Sequence, residues 1–176
     1  MKTLIIYTSQ TGFTKKYAQW LAERMQGDVL DLKAAKKKGA SFYDAYEAIV
    51  YAGWVMAGKV VKADWFFGKA PDWKEKRLAI MAVGGSPNDN PDVETAMKTL
   101  LTEEQRRYMK AFYCQGGFDH DKMKWPSKVA MKMFTSALRK KKDEKSRQVA
   151  EFISQSYDIS DVKFIEPVAS YLLGGS

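Results

Sequence analysis

The sequence has little of what metal centres, disulfide-stabilised folds and membrane spans require. Its 176 residues include one cysteine, Cys114, and one histidine, His120. A single cysteine excludes an intrachain disulfide and a cysteine-rich zinc site, and we predict no metal site. No stretch reaches the roughly 18 apolar residues of a membrane-spanning helix, and the apolar run Leu4–Tyr7 is too short for a signal-peptide core. We therefore expect a cytoplasmic protein without a transmembrane segment.

What is present is the composition of an ordinary globular domain with an uneven charge. Hydrophobic residues make up 45% of the chain and charged residues 28%, and at about 150 residues per domain the length predicts a single domain over residues 1–176. The formal net charge is +8, and residues 109–148 hold 11 Lys and Arg against 4 Asp and Glu. Such a segment attracts acidic proteins or anionic membranes. Without a recognised nucleic-acid-binding module beside it, we expect no nucleic-acid partner.

Five short apolar segments alternate with segments of helical periodicity along the chain. Strand–helix alternation of this kind predicts an α/β fold, with a parallel sheet and helices on both of its faces. The last third adds a basic amphipathic helix, in which Val129 and Met133 share a face and Lys128 and Lys132 fall opposite. The predicted strands are 4–7, 28–32, 48–52, 78–83 and 110–115, and the predicted helices are 14–25, 58–67, 92–101, 127–138 and 161–173.

The loop between the first strand and the first helix is the most informative segment. A helix N-terminus carries unpaired backbone N–H groups and the positive end of the helix dipole, which together favour a phosphate group. Hydroxyl side chains in the loop can add donors, and a glycine lets the backbone approach closely. The alternative is a simple helix cap. The candidate phosphate site consists of Ser9, Gln10, Thr11, Gly12, Phe13 and Thr14.

Other phosphate-binding folds are excluded by their missing signatures. The chain lacks GxxxxGK[ST], which is typical of P-loop nucleotide hydrolases, and no GxGxxG follows the first strand as a dinucleotide site requires. A receiver domain shares the five-stranded layout but needs an acidic cluster at the strand ends, where this chain has Tyr7-Thr8 and Tyr51-Ala52.

Three segments of the sequence resemble the flavodoxin family. The segment LIIYTSQTGFT matches an apolar strand followed by S/T-x-T-G-x-T, while IVYAGWVMAGK and MAVGGSPNDNP resemble the two loops that cover the flavin ring in that family. The three matches extend over roughly residues 1–117. The resemblance implies a flavodoxin-like three-layer sandwich with a five-stranded parallel sheet in the order 2-1-3-4-5, extended here by basic helical sequence after the fifth strand.

The resemblance also implies noncovalently bound FMN at the carboxyl ends of the strands. The Ser9–Thr14 loop would hold the phosphate, and a peptide of the Met56–Gly58 segment would hydrogen-bond the flavin N5. Phe13 stands where many flavodoxins have Asn, and the third loop contains no aromatic residue to stack on the ring. The residues expected to flank the ring are Ala52, Gly53, Trp54, Val55, Met56, Ala57 and Gly58 on one side and Gly84, Gly85, Ser86, Pro87, Asn88, Asp89 and Asn90 on the other.

Three functions fit this resemblance. The favoured one is an electron carrier whose FMN passes electrons to a partner oxidoreductase, with the basic surface facing an acidic docking surface.

The segment GGFDHDKMKWPSKVAMKMF resembles a flavodoxin-domain subgroup that includes the menaquinone-dependent protoporphyrinogen oxidase. That resemblance implies an FMN-dependent oxidoreductase acting on a tetrapyrrole or quinone, with loop 116–126 and helix 127–138 as the substrate site. The third is a cofactor-free interaction module. The basic segment 117–142 is either a docking surface, with peripheral membrane contact as one form, or a solvated face.

Overall fold

A computed structural model describes residues 1–175, apart from the side chain of Lys145. Ser176, the last residue of the expected domain, lies outside the described residues. The strands form one six-stranded sheet and a separate two-stranded ribbon. They are β1 (Thr3–Thr8), β2 (Asp28–Asp31), β3 (Ala48–Met56), β4 (Lys59–Val60), β5 (Arg77–Gly84), β6 (Met109–Gln115), β7 (Gly117–Phe118) and β8 (Tyr157–Asp158).

The main sheet runs in the order β2-β1-β3-β5-β6, and all neighbours in this path are parallel. Counting these five strands along the chain gives the order 2-1-3-4-5, which confirms the predicted topology. The helices that connect them are α1 (Phe13–Met25), α2 (Leu32–Ala35), α3 (Ala40–Asp44), α4 (Ala63–Lys69), α5 (Pro91–Leu100), α6 (Trp125–Lys140), α7 (Glu144–Phe152) and α8 (Glu166–Leu172). Single 3₁₀ turns cover Ala70–Trp73, Gln105–Arg107 and Val162–Ile165.

Helices cover both faces of the sheet because successive strand side chains point to opposite sides. In β1, Leu4 and Ile6 enter a core that includes Phe66 of α4, while Ile5 enters a second core with Leu21 of α1 and Val168 of α8. All six side chains are fully buried. These two cores make the molecule a three-layer sandwich, in agreement with the fold expected from the sequence.

Two predicted helices are wrong at their starts. Over 161–173 the chain first forms the 3₁₀ turn Val162–Ile165, and the α-helix begins at Glu166. The pattern over 58–67 indicated a helix, but β3 continues to Met56, turns through Ala57 and Gly58, and pairs with β4 in an antiparallel hairpin. Both turn residues have positive φ, +49° and +75°, as a two-residue type I′ hairpin turn requires. Helix α4 therefore begins only at Ala63.

The segment after β6 forms a separate helical layer at the carboxyl edge of the sheet. Strand β7 leaves the sheet, α6 and α7 follow and pack together, and β8 returns antiparallel to β7. Helix α6 confirms the predicted basic helix and is longer than expected, since it includes Arg139 and Lys140. None of the helices in residues 1–175 has the length and apolar composition of a membrane span.

Candidate functional site

The N-terminus of α1 is open toward the carboxyl edge of the sheet. Gly12 precedes the helix with φ +106°, a left-handed conformation that favours glycine, and a Cβ added at Gly12 would meet no described atom within 4 Å. Among residues 1–175, no side chain caps this helix. Its first-turn N–H groups are therefore not taken by a cap, and the chemistry of this end suits a phosphate.

Neighbouring contacts fix the shape of this loop. The N–H of Gly12 donates to the Ser9 hydroxyl at 3.2 Å, and the Gln10 side-chain amide donates to the Ser127 hydroxyl at 3.0 Å. In the first turn of α1, Lys16 donates to the Asp158 carboxylate at 2.8 Å and to the Ser160 hydroxyl at 2.7 Å. Burial raises the pKa of Asp158, but the hydrogen bonds from Lys16 and Ser160 outweigh it and the pKa lies below its ordinary value. Lys16 is thus held by an anion at the side of the loop.

A cavity of about 400 Å³ adjoins this helix end. Its lining includes the polar side chains of Gln10, Thr11 and Thr14 beside the start of α1 and of Ser127 in α6, and is otherwise mostly apolar. A lining of this kind can bind a ligand that has both a charged group and a flat hydrophobic ring. The lining residues are Gln10, Thr11, Phe13, Thr14, Trp54, Val55, Met56, Ala57, Val83, Gly84, Gly85, Gly117, Phe118, Met123, Ser127, Ala130, Met131 and Phe134.

The hairpin β3–β4 forms one wall and brings the second predicted loop to the cavity. Trp54, Val55, Met56 and Ala57 all line it. Ala57 has a positive φ, which costs a non-glycine residue conformational energy. The turn Met56–Gly58 is exposed, and Met56 and Ala57 place it at the edge of the cavity.

The third predicted loop reaches the cavity through Gly84 and Gly85. Two tyrosines hold the backbone of this loop by hydrogen bonds. The Tyr157 hydroxyl donates to the Gly85 carbonyl and the Tyr113 hydroxyl donates to the Ser86 carbonyl, both at 2.8 Å. Burial raises the pKa of both tyrosines, which keeps their hydroxyls protonated as donors. A Cβ on Gly85 would collide with the ring of Phe118, so glycine is needed here for close packing.

The rest of the third loop has structural contacts of its own. Asn88 exchanges two hydrogen bonds of 2.9 Å with Gln115, one through each backbone N–H, and the Asn90 side chain caps α5. Neither residue lines the cavity. The other predicted site residues that stand outside its lining are Ser9, Gly12, Ala52, Gly53, Gly58, Ser86, Pro87 and Asp89.

Helix α6 supplies the part of the cavity that was not among the expected cofactor contacts. Ser127, Ala130, Met131 and Phe134 lie along one face of the helix and line the cavity, and Met123 precedes them. The spacing of three, four and seven residues in this Met-rich helix is the signal in the sequence that places them on one side. Phe118 provides an aromatic ring that the third loop itself lacks.

A family model described as flavodoxin domain matches residues 4–146. The chain belongs to the flavodoxin domain family. No curated protein matches the chain significantly.

Several solved structures are similar to this flavodoxin-domain protein. The Trp repressor binding protein from Bacillus subtilis has 14% identity and a TM-score of 0.45, covering 66% of this chain and 85% of its own. A Streptococcus pneumonia TIGR4 flavodoxin has 15% identity and a TM-score of 0.43, covering 88% and 98%. A flavoprotein from Lactobacillus acidophilus NCFM, solved in complex with FMN, has 16% identity and a TM-score of 0.40, covering 65% and 91%.

Proposed function

We propose that this flavodoxin-domain protein binds one FMN in the cavity and carries electrons to a partner oxidoreductase. The observation that carries the proposal is that three separate loops meet at one cavity, beside the uncapped N-terminus of α1. These residues fit FMN, which has a phosphate at one end and a planar ring at the other. When bound, FMN supplies one- and two-electron transfer, and the protein supplies binding and electronic tuning.

Each wall has a distinct part in this proposal. The backbone N–H groups after Gly12, with Thr11 and Thr14, hold the phosphate, and Gln10 is positioned beside them by Ser127. Trp54 and Phe118 supply aromatic surface for the ring, and the Met56–Gly58 turn presents backbone groups to it. The exposed Met56 and Phe134 flank the cavity mouth, where electrons would pass to the partner.

A titration with two flavins tests the cofactor assignment. Flavin-free protein is titrated with FMN and with riboflavin, which lacks the phosphate, and fluorescence quenching gives the two dissociation constants. We expect FMN to bind at least about tenfold more tightly, since hydrogen bonds to charged groups are worth about 1.5–3 kcal/mol. Equal affinities would remove the phosphate role of the Ser9–Thr14 loop, and binding of neither flavin would favour the cofactor-free interaction module.

One observation favours a second function, an FMN-dependent oxidoreductase acting on a tetrapyrrole or quinone. Helix α6 adds Met131 and Phe134 to the cavity, next to Met123, and this apolar wall suits a bulky unsaturated substrate. Turnover of a porphyrinogen with a quinone as electron acceptor separates the two functions. Catalytic turnover by the purified FMN-loaded protein supports the enzyme, and its absence alongside reduction by an added flavodoxin reductase supports the carrier.

A further inference from the structure

Helix α6 carries an exposed apolar row on the side away from the cavity. Trp125, Val129 and Met133 are four residues apart and therefore lie in one line along the helix. Trp125 is 76% exposed and Met133 69% exposed. Large exposed side chains in a contiguous row mark an interaction surface rather than a random surface composition.

A row of cations runs beside these apolar residues. Lys128, Lys132 and Arg139 also follow helical spacing, and all three line a groove of about 350 Å³ with His120 and Ser154. Helix α6 contains four Lys and Arg and no Asp or Glu, and Lys141 and Lys142 follow it directly. A helix with an apolar row, a cationic row and a tryptophan at its start is typical of segments that lie in a membrane interface.

The charge pattern distinguishes between the occupants of this surface. A second copy, paired through a two-fold axis, would set the Lys128, Lys132 and Arg139 rows of both copies close together, and like charges oppose that arrangement. An anionic lipid surface matches the cations and also accepts the apolar side chains beside them. An acidic protein matches the cations, but a bilayer explains the neighbouring apolar row as well.

We propose that α6 docks this protein on an anionic phospholipid membrane. Trp125, Val129 and Met133 enter the interface between headgroups and acyl chains, and Lys128, Lys132 and Arg139 contact lipid phosphates. The cavity is lined by the opposite face of α6, with Ser127, Met131 and Phe134, so this docking surface is separate from the proposed flavin site. The proposal goes beyond the FMN assignment and does not depend on it.

Vesicle co-sedimentation tests the docking. Full-length protein is mixed with vesicles of phosphatidylcholine alone and with vesicles of phosphatidylcholine and phosphatidylglycerol in equal parts, at low and high salt. We expect binding to the phosphatidylglycerol vesicles, weakened by salt, and little binding to phosphatidylcholine. Tryptophan emission should shift to shorter wavelength on binding, and Trp125→Phe should bind while losing most of that shift.

Two pairs of variants separate the rows. Reversal of the cationic row by Lys128→Glu, Lys132→Glu and Arg139→Glu should weaken binding more than about a hundredfold, since each cation near the surface contributes about fivefold. Its matched control is Lys2→Glu, Lys69→Glu and Arg107→Glu, at the opposite edge of the sheet. Trp125→Ser with Met133→Ser should weaken binding at least about tenfold, and Val162→Ser with Leu173→Ser, which are also exposed, should not.

Several outcomes overturn the proposal. One is no binding of the wild type to phosphatidylglycerol vesicles, and another is equal losses in the α6 variants and their controls. Dependence on the cations without any effect of the apolar pair would show a purely electrostatic contact. If polyglutamate binds with the same variant pattern and vesicles do not, the surface is for an acidic protein. Circular dichroism of each variant confirms folding, and the salt titration of the wild type stands even if a variant fails to fold.

Discussion

The side-chain amide of Gln10 donates a hydrogen bond to the hydroxyl of Ser127, 117 residues further along the chain, at 3.0 Å. Gln10 belongs to the loop before α1, and Ser127 lies in the first turn of α6. This contact joins the proposed phosphate loop to the helix that forms the far wall of the cavity. The position of α6 and the geometry of the loop are thus coupled through one pair of side chains.

Removing this contact should release bound FMN faster. In Ser127→Ala, the Gln10 amide loses its partner, and the loss of about 1 kcal/mol of hydrogen bonding loosens α6 over the cavity. We expect FMN to dissociate about fivefold faster in a stopped-flow displacement measurement. Ser136→Ala, an exposed serine on the same helix, is the control and should leave the rate unchanged. Equal rates in the wild type and Ser127→Ala would contradict the coupling.

Substitutions in the phosphate loop should weaken FMN by different mechanisms. Thr11→Val removes one hydroxyl and should weaken FMN binding by about 1–3 kcal/mol. Gly12→Leu should weaken it more, because φ +106° strains any side chain and the loop must change shape. Isothermal titration with FMN measures both, and riboflavin affinity, which should change less, is the control. Unchanged FMN affinity in the two variants would refute the phosphate site.

The Tyr17 hydroxyl should contribute to stability more than an ordinary tyrosine hydroxyl. It donates to the Gln115 carbonyl at 2.5 Å and accepts from the Asp161 N–H at 3.1 Å, which ties α1 to the end of β6. Tyr17→Phe leaves both backbone groups without this partner and should lower the free energy of unfolding by about 1–3 kcal/mol.

Urea denaturation measures that change. The control is Tyr108→Phe, because the Tyr108 side chain contacts the Lys74 ammonium through its ring, at 5.1 Å from the centroid, and phenylalanine keeps that ring. The control should stay within about 0.5 kcal/mol of the wild type. If both variants lose similar free energies of unfolding, the two hydrogen bonds of the Tyr17 hydroxyl do not stabilise the fold more than an ordinary tyrosine hydroxyl does.

The thiol of Cys114 should be inert in the folded protein. Its side chain is fully buried and donates to the Phe164 carbonyl at 3.5 Å, and burial raises its pKa to about 12. A thiol-specific reagent at pH 8 should label it slowly in buffer and rapidly in urea. Rapid labelling of the native protein would contradict the burial.

The raised pKa of Cys114 should make the free energy of unfolding fall at high pH. The folded pKa lies above the unfolded value of about 8.5, so the stabilising effect of the neutral thiol is complete below that pH and is lost as pH rises toward 12. At pH 10, wild-type protein should lose up to about 2 kcal/mol more than Cys114→Ala, relative to pH 7. Parallel pH dependence of the two proteins would show that Cys114 does not titrate on unfolding.

The parallel sheet was predictable because its strands are local patterns. Apolar runs such as Leu78–Val83 are bounded by turn residues, and their alternation with helices fixes the topology. The hairpin at Ala57-Gly58 was not predictable, because alanine gives no signal for a left-handed turn. The β7–β8 ribbon pairs Phe118 with Tyr157, two residues too far apart for any local pattern to join.

The candidate site also has a part that local sequence predicts and a part that depends on tertiary packing. The loops at Ser9–Thr14, Trp54–Ala57 and Gly84-Gly85 follow from where the strands end, because parallel strands bring their carboxyl ends to one edge. The cavity wall from α6 depends on how a helix packs after it leaves the sheet. Sequence periodicity shows which α6 residues share a face but not what that face covers. Asn88 and Asn90 have structural roles that depend equally on tertiary contacts.

The ribbon at the base of the α6–α7 segment has a consequence for how the molecule opens. Residues 119–156 leave and return through paired strands, and Thr135 is the buried residue of α6. The buried apolar residues of this segment, Met123, Ala150 and Ile153, belong to neither of the two cores beside the sheet. Opening the segment breaks none of the hydrogen bonds between the five parallel strands. Its amides should therefore exchange with solvent through a low-energy local transition, while those of β1, β3 and β5 await global unfolding. Such an opening would uncover the cavity wall formed by α6 while the rest of the protein stays folded.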